Sequence, residues 1–124
     1  MKKVSLLIAE DDEFLRKAIV HKFTNEGFEV IQAEDGLKAI ALLKTKKPDV
    51  AIVDLLLPGA DGWTILETIK KNPKLKEIPV IMATNMSQGG DREKAMKLGA
   101  AALVVKRDTP LQALVQKVRE ALKK

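Results

Sequence analysis

The amino-acid sequence predicts an α/β fold in which an open parallel sheet carries helices on both faces. Five strand-like runs alternate with five helix-like ones, the pattern of a parallel sheet built from crossover units. The strand-like runs are almost continuously apolar, as strands covered on both faces must be. Four of them end in a reactive polar residue: Glu10–Asp11 after VSLLIA, Asp54 after DVAIV, Thr84 after PVIMA and Lys106 after AALVV. The carboxyl ends of parallel strands share one edge, so these residues are expected to meet in one crevice.

Strands are predicted near 4–9, 28–33, 49–53, 79–83 and 102–105, the second (FEVIQA) being the weakest and therefore an edge strand. The first helix follows EDDE, where Asp12 and Glu13 suit an N-cap and a first-turn acid. Its apolar stripe is Leu15, Ala18, Ile19 and Phe23; that of the third helix is Ile65, Leu66 and Ile69. Trp63, after Asp61-Gly62, is expected to bury its ring where the third helix begins. Gln88-Gly89-Gly90 reads as a mobile loop into the fourth helix. The last helix has the stripe Leu111, Leu114, Val115, Val118 and Leu122, and Thr109-Pro110-Leu111-Gln112 predicts a capping hydroxyl, a first-turn proline and a capping-box Gln. Pro48, Pro79 and Asn72-Pro73 punctuate the loops into the third and fourth strands, and Gly27, Gly36 and Gly99 mark helix ends.

A chain of 124 residues, 46% hydrophobic, fits one domain with one core, assigned to 1–124. With no cysteine there is no disulfide, thiolate metal site or thiol redox chemistry. The apolar run after Lys2-Lys3 is too short for a secretory or membrane segment, so the expected setting is the cytoplasm and no membrane partner is expected. The net charge of +5 is spread along every helix, and aromatics are 3%, so direct nucleic-acid binding is not expected. His21 lies mid-helix without a partner motif and reads as a surface or packing residue.

Glu10 and Asp11 come too early to cap the first helix. Facing Asp54 from the adjacent strand, they would repel it unless a cation lay between, and a hard dication with oxygen ligands, Mg2+, fits. Asp54, after four apolar residues and before the turn-forming LLLPGADG, is the candidate nucleophile for an acyl phosphate. Phosphoryl transfer needs chiefly positioning and charge neutralisation, which Mg2+ and Lys106 would supply while Thr84 donates its hydroxyl to a phosphoryl oxygen.

The stretches LLIAEDD, VDLLLPGADGW, PVIMATN and GAAALVVK, in that order and spacing, resemble along the whole chain the receiver domain of bacterial two-component response regulators, of the chemotaxis-receiver type. The resemblance implies a flavodoxin-like, doubly wound five-stranded sheet in the order 2-1-3-4-5. It makes Asp54 the phosphoacceptor, Glu10 and Asp11 the Mg2+ acids with the backbone carbonyl of Leu56, Thr84 the switch hydroxyl and Lys106 the phosphate-sensing ammonium. It implies a phosphohistidine donor on a sensor histidine kinase or phosphotransfer protein, a downstream effector or fused output domain, and a phosphorylation-dependent dimer. The chain is then a switch and not an enzyme beyond weak self-dephosphorylation.

Two departures carry consequences. Arg107 follows Lys106 where many receivers have a cis proline, so a trans bond and an altered loop are expected, since a cis non-proline bond costs about 3 kcal/mol. Leu103 stands where an aromatic switch residue is usual, so readout must use aliphatic repacking or helix shifts. Leu56 and Met86, both apolar, would hinder and fail to orient an attacking water, giving a long-lived acyl phosphate. Among competing functions, an aspartyl phosphatase lacks its general acid because position 56 is Leu, and a nucleotide binder would be repelled by EDDE. A receiver-like interaction module working without phosphorylation is the remaining alternative.

Overall fold

A computed structural model describes residues 2–85 and 88–123 of the chain. Its elements run β1 Ser5–Ala9, α1 Glu13–Asn25, β2 Glu29–Ala33, α2 Gly36–Lys46, β3 Val50–Asp54, α3 Gly62–Lys71, β4 Val80–Thr84, α4 Asp91–Lys97, β5 Ala102–Val105 and α5 Leu111–Leu122. The strands form one parallel sheet in the order β2-β1-β3-β4-β5. Because the crossover leaving β1 runs one way, to β2, and the crossover leaving β3 runs the other way, to β4, the topological switch lies between β1 and β3. That is where an open α/β sheet leaves a crevice at its carboxyl edge.

Strand residues alternate between two cores. Leu7, Ala9, Ala51, Val53, Val80 and Met82 face α2, α3 and α4, whereas Leu6, Ile8, Val50, Ile52, Ile81 and Ala83 face α1 and α5. Both faces are dry, which explains the uninterrupted apolar runs. The β2 strand is the most exposed of the five, as its edge position requires.

Helix starts follow local chemistry. The carboxylates of Asp12, Asp35 and Asp61 accept from the backbone N–H groups of Leu15, Lys38 and Thr64 at 3.1, 2.8 and 2.9 Å. The α5 start differs from expectation. Pro110 precedes the first helical residue and no side chain caps it; the Thr109 hydroxyl donates instead to the carbonyl of Val105 at 2.8 Å. The turn after β5 brings that carbonyl within reach, and the hydroxyl ties the turn down. The Trp63 ring is half-buried rather than buried, with the Lys94 ammonium over its face, 4.4 Å from the centroid. His21 is exposed beside Asn25, as expected.

Two glycines are dictated by close approach. A Cβ on Gly36 would stand 1.9 Å from the carbonyl oxygen of Ala60, and one on Gly62 would stand 2.4 Å from that of Asp54. Each donates its N–H into the β3–α3 loop, Gly36 to Pro58 and Gly62 to Leu55, both at 2.9 Å. The loop that follows Asp54 is thereby pinned from two sides.

Candidate functional site

The strand ends deliver Glu10, Asp54, Thr84 and Lys106 to the carboxyl edge. Glu10 directly follows β1, Asp54 ends β3, Thr84 ends β4 and Lys106 directly follows β5. Carboxylate oxygens of Glu10, Asp11 and Asp54 all lie within 4.8 Å of one another. The Lys106 ammonium bridges two of them, 2.9 Å from Asp54 Oδ2 and 2.5 Å from Glu10 Oε1. Glu10, Asp54 and Thr84 are buried, while Asp11 is exposed and opens the cluster to solvent.

The second carboxylate oxygen of Glu10 accepts from the N–H of Asp12 at 3.1 Å, and the backbone N–H of Leu56 donates to the Asp54 carboxylate. Arg16 is a positioning residue that no motif signals. Its guanidinium donates to the Glu10 carbonyl at 3.0 Å and to Gln32 Oε1 at 3.1 Å, so it fixes the strand-to-helix corner that aims the Glu10 carboxylate. Only the folded pairing of β1 with β2 brings Gln32 there. The Leu56 side chain is 74% exposed beside the cluster. Met86 lies outside the described residues. Leu103 is buried, and its carbonyl accepts from Arg92 at 2.9 Å, which ties α4 to the edge strand. No peptide bond among the described residues is cis, matching the trans bond expected of Lys106-Arg107, and Lys106–Asp108 forms a short 3-10 turn.

The electrostatics of the cluster ask for more positive charge. Burial raises the pKa of Asp54, with Asp11 adding to it and Lys106 opposing; burial likewise raises that of Glu10 against the pull of Lys106. Burial works against the Lys106 ammonium too, yet the two carboxylates together outweigh it and raise its pKa. The cluster thus holds three carboxylates against one ammonium in a partly desolvated pocket. A hard dication with oxygen ligands meets that demand, and the exposed side at Asp11 leaves room for its waters.

A stability consequence follows. The folded pKa of Asp54 lies above its ordinary 3.8, so the folded state binds a proton more tightly, and stability falls as pH rises from about 4 through the folded value. Asp54→Asn removes that penalty. Without divalent metal at pH 7, the variant is expected to be more stable than the parent and to melt at a higher midpoint. The gain should vanish as pH approaches 4, and thermal melts at the two pH values check it.

Residues 6–119 match the family model for the response regulator receiver domain. The chain is 36% identical over 123 residues to the transcriptional activator protein IrlR of Burkholderia pseudomallei, covering 96% of this chain and 50% of that protein. It is 33% identical over 101 residues to the response regulator PleD of Caulobacter vibrioides, covering 82% of this chain and 22% of that protein. The chain spans about half the length of the curated relatives it matches, or less. Among solved structures, a LuxR-family DNA-binding response regulator from Staphylococcus aureus superposes with TM-score 0.88 at 34% identity, covering 96% of this chain and 98% of that one. The receiver domain of a Francisella response regulator superposes with TM-score 0.87 at 25% identity, covering 98% of each chain.

Proposed function

The chain belongs to the response regulator receiver domain family, a family of signalling switches rather than classical enzymes, and from that premise we propose that Asp54 is its phosphoacceptor. The observation that carries the reading is the meeting of Glu10, Asp11 and Asp54 within 4.8 Å, with Lys106 on Asp54. A carboxylate oxygen of Asp54 attacks the phosphorus of a phosphohistidine on a sensor histidine kinase or phosphotransfer protein. The P–O bond forms, the P–N bond breaks, and the imidazole nitrogen leaves and takes up a proton. Glu10, Asp11, Asp54 and the Leu56 carbonyl would hold Mg2+, which would supply charge neutralisation for the incoming phosphoryl oxygens. Lys106 turns from the free carboxylates to the phosphoryl group, and Thr84 donates its hydroxyl to it.

The acyl phosphate adds roughly −1.5 to −2 charge beside Lys106. With Leu103 in place of a ring, the change reaches the α4–β5–α5 face through aliphatic repacking and the Arg92 contact to the Leu103 carbonyl. The face then engages an effector, a fused output domain or a second copy of this unit, taken to be one receiver over residues 1–124 in the cytoplasm. No helix among the described residues is long and apolar enough to cross a membrane. The names of the longer relatives support an output in transcription.

Incubation with acetyl phosphate or phosphoramidate plus Mg2+ is expected to add one phosphoryl group to the intact mass. Chelation and Asp54→Asn should each abolish the adduct. An adduct surviving Asp54→Asn would overturn the assignment, and none on the parent chain would favour the unphosphorylated interaction module. Leu56→Asn should shorten the lifetime of the adduct about tenfold, the worth of one water-orienting hydrogen bond of about 1.4 kcal/mol. The Leu56→Asn, Met86→Glu pair should shorten it further; equal decay rates would rule out an unoriented water as the cause of persistence.

A further inference from the structure

The same topology that gathers acids at the carboxyl edge gathers lysines at the opposite one. Each helix runs antiparallel to the strands, so the ends of α2, α3 and α4, which cover one face of the sheet, lie together at its amino edge. Residues 44–49 (KTKKPD) and 70–77 (KKNPKLKE) place seven lysines there against two carboxylates, and Lys97 nearby shares a groove with Glu67 and Glu93. Asp49 is already engaged by the backbone N–H and hydroxyl of Ser5, and Glu77 faces Lys70. Lys70 is itself committed, donating to the carbonyls of Lys76 and Ile78. Among the described residues, the lysines at 44, 46, 47, 71, 74, 76 and 97 are exposed and make no ion pair. A charge that looks diffuse along the chain is therefore concentrated in space.

The helix dipole accounts for lysines within a last turn and for Lys47 at the C-cap of α2, but not for Lys74 and Lys76, which lie beyond the end of α3. Lys47 is the one non-glycine with positive φ among the described residues, at +46°. Glycine suits that C-terminal position better, so a charged side chain stands there against backbone preference. We infer that this edge binds the phosphate backbone of duplex nucleic acid, without reading sequence. Neither 44–49 nor 70–77 contains arginine for bidentate base contacts or an aromatic for stacking single strands. Leu75 of these segments is buried, as are neighbouring Leu43 and Ile78, and the exposed Val4 and Met96 near this edge are too few to form an apolar face that inserts into a lipid surface. Lysine ammoniums as point charges on regularly spaced phosphates remain. The inference does not depend on phosphorylation of Asp54.

Fluorescence anisotropy of a labelled duplex of arbitrary sequence, titrated with the 124-residue chain, tests this. Saturable binding is expected at about 50 mM salt, weakening on the order of 100-fold at about 200 mM if about four phosphates are contacted. Lys47→Gly, Lys74→Gln, Lys76→Gln in combination should weaken binding at least about tenfold. Lys47→Gly alone should raise the melting midpoint while weakening binding, opposite signs that a purely structural lysine would not give. No saturable binding at the lower salt, or wild-type binding by the triple variant, would overturn the inference. So would cosedimentation with phosphatidylserine vesicles by a chain that ignores the duplex.

Discussion

Lys106→Met is expected to destabilise the chain by about 3 kcal/mol at pH 7 without divalent metal, with the loss disappearing as pH falls toward 4.5. The substitution keeps the length of the side chain but leaves Glu10 and Asp54 buried without the ammonium that bridges them. Breaking a buried ion pair from one side costs about 3–5 kcal/mol, because the charge left behind is uncompensated. Here a limit operates, since one carboxylate can take up a proton instead. Starting from the ordinary Glu value of 4.5, protonation at pH 7 costs about 3 kcal/mol at 1.36 kcal/mol per pH unit, and the loss cannot much exceed that. Both carboxylates already have raised pKa values, and the variant raises them further. Its stability relative to the parent must therefore rise as pH falls through the new folded values, with a slope of about one proton. Relief of the burial penalty on Lys106 opposes the loss without reversing it, because one ammonium serves two anions. Added Mg2+ should narrow the gap, since Glu10, Asp11 and Asp54 then hold compensating charge. Urea unfolding at pH 5, 6 and 7, with and without Mg2+, measures this; a loss that ignores pH would show that packing of the lysine stem, not its charge, is what the site needs.

The contrast between Lys106 and Arg16 shows what was legible in the sequence. Glu10, Asp54, Thr84 and Lys106 each end an apolar run, and the carboxyl edge of a parallel sheet is a consequence of connectivity, so their meeting follows from one-dimensional pattern. Strand limits shift by one residue: Asp54 and Thr84 close their strands instead of following them. Arg16 shows no such signal, because its role depends on β2 lying against β1 and on a backbone carbonyl. The bond made by the Thr109 hydroxyl escapes one-dimensional pattern for a related reason. Capping chemistry is local, but the 3-10 turn that presents the Val105 carbonyl is set by the packing of β5 and α5. Charge was legible as a total and illegible as a distribution, since lysines distant in chain order become neighbours only when the helices align.

Gly62→Ala should cost about 3 kcal/mol and slow phosphorylation of Asp54, although position 62 never touches the phosphoryl group. The added Cβ would meet the carbonyl oxygen of Asp54 at 2.4 Å and the Cα of Leu55 at 2.8 Å. Both are backbone atoms, one belonging to the last residue of a central strand, so no side-chain rotation relieves the clash. Overpacking typically costs about 1–3 kcal/mol where side chains can give, and backbone against backbone belongs at the upper end. The cheapest escape moves the start of α3 outward, which breaks the Gly62 N–H bond to the Leu55 carbonyl and frees the loop that carries Leu56. Moving the strand end instead shifts Asp54 relative to Glu10 and Lys106. A displacement of about 1 Å at a reacting group can lower a rate on the order of 100-fold, so phosphorylation suffers by either route. Gly89→Ala is the matched control: nothing described lies within 4 Å of its Cβ, and its φ is not in the left-handed region. That variant should be neutral or gain about 0.4–1 kcal/mol from a less flexible unfolded chain. Denaturant melts of both variants, with the rate of phosphoryl uptake from acetyl phosphate, separate the cases; wild-type stability and rate in Gly62→Ala would show that the helix can retreat without disturbing the strand.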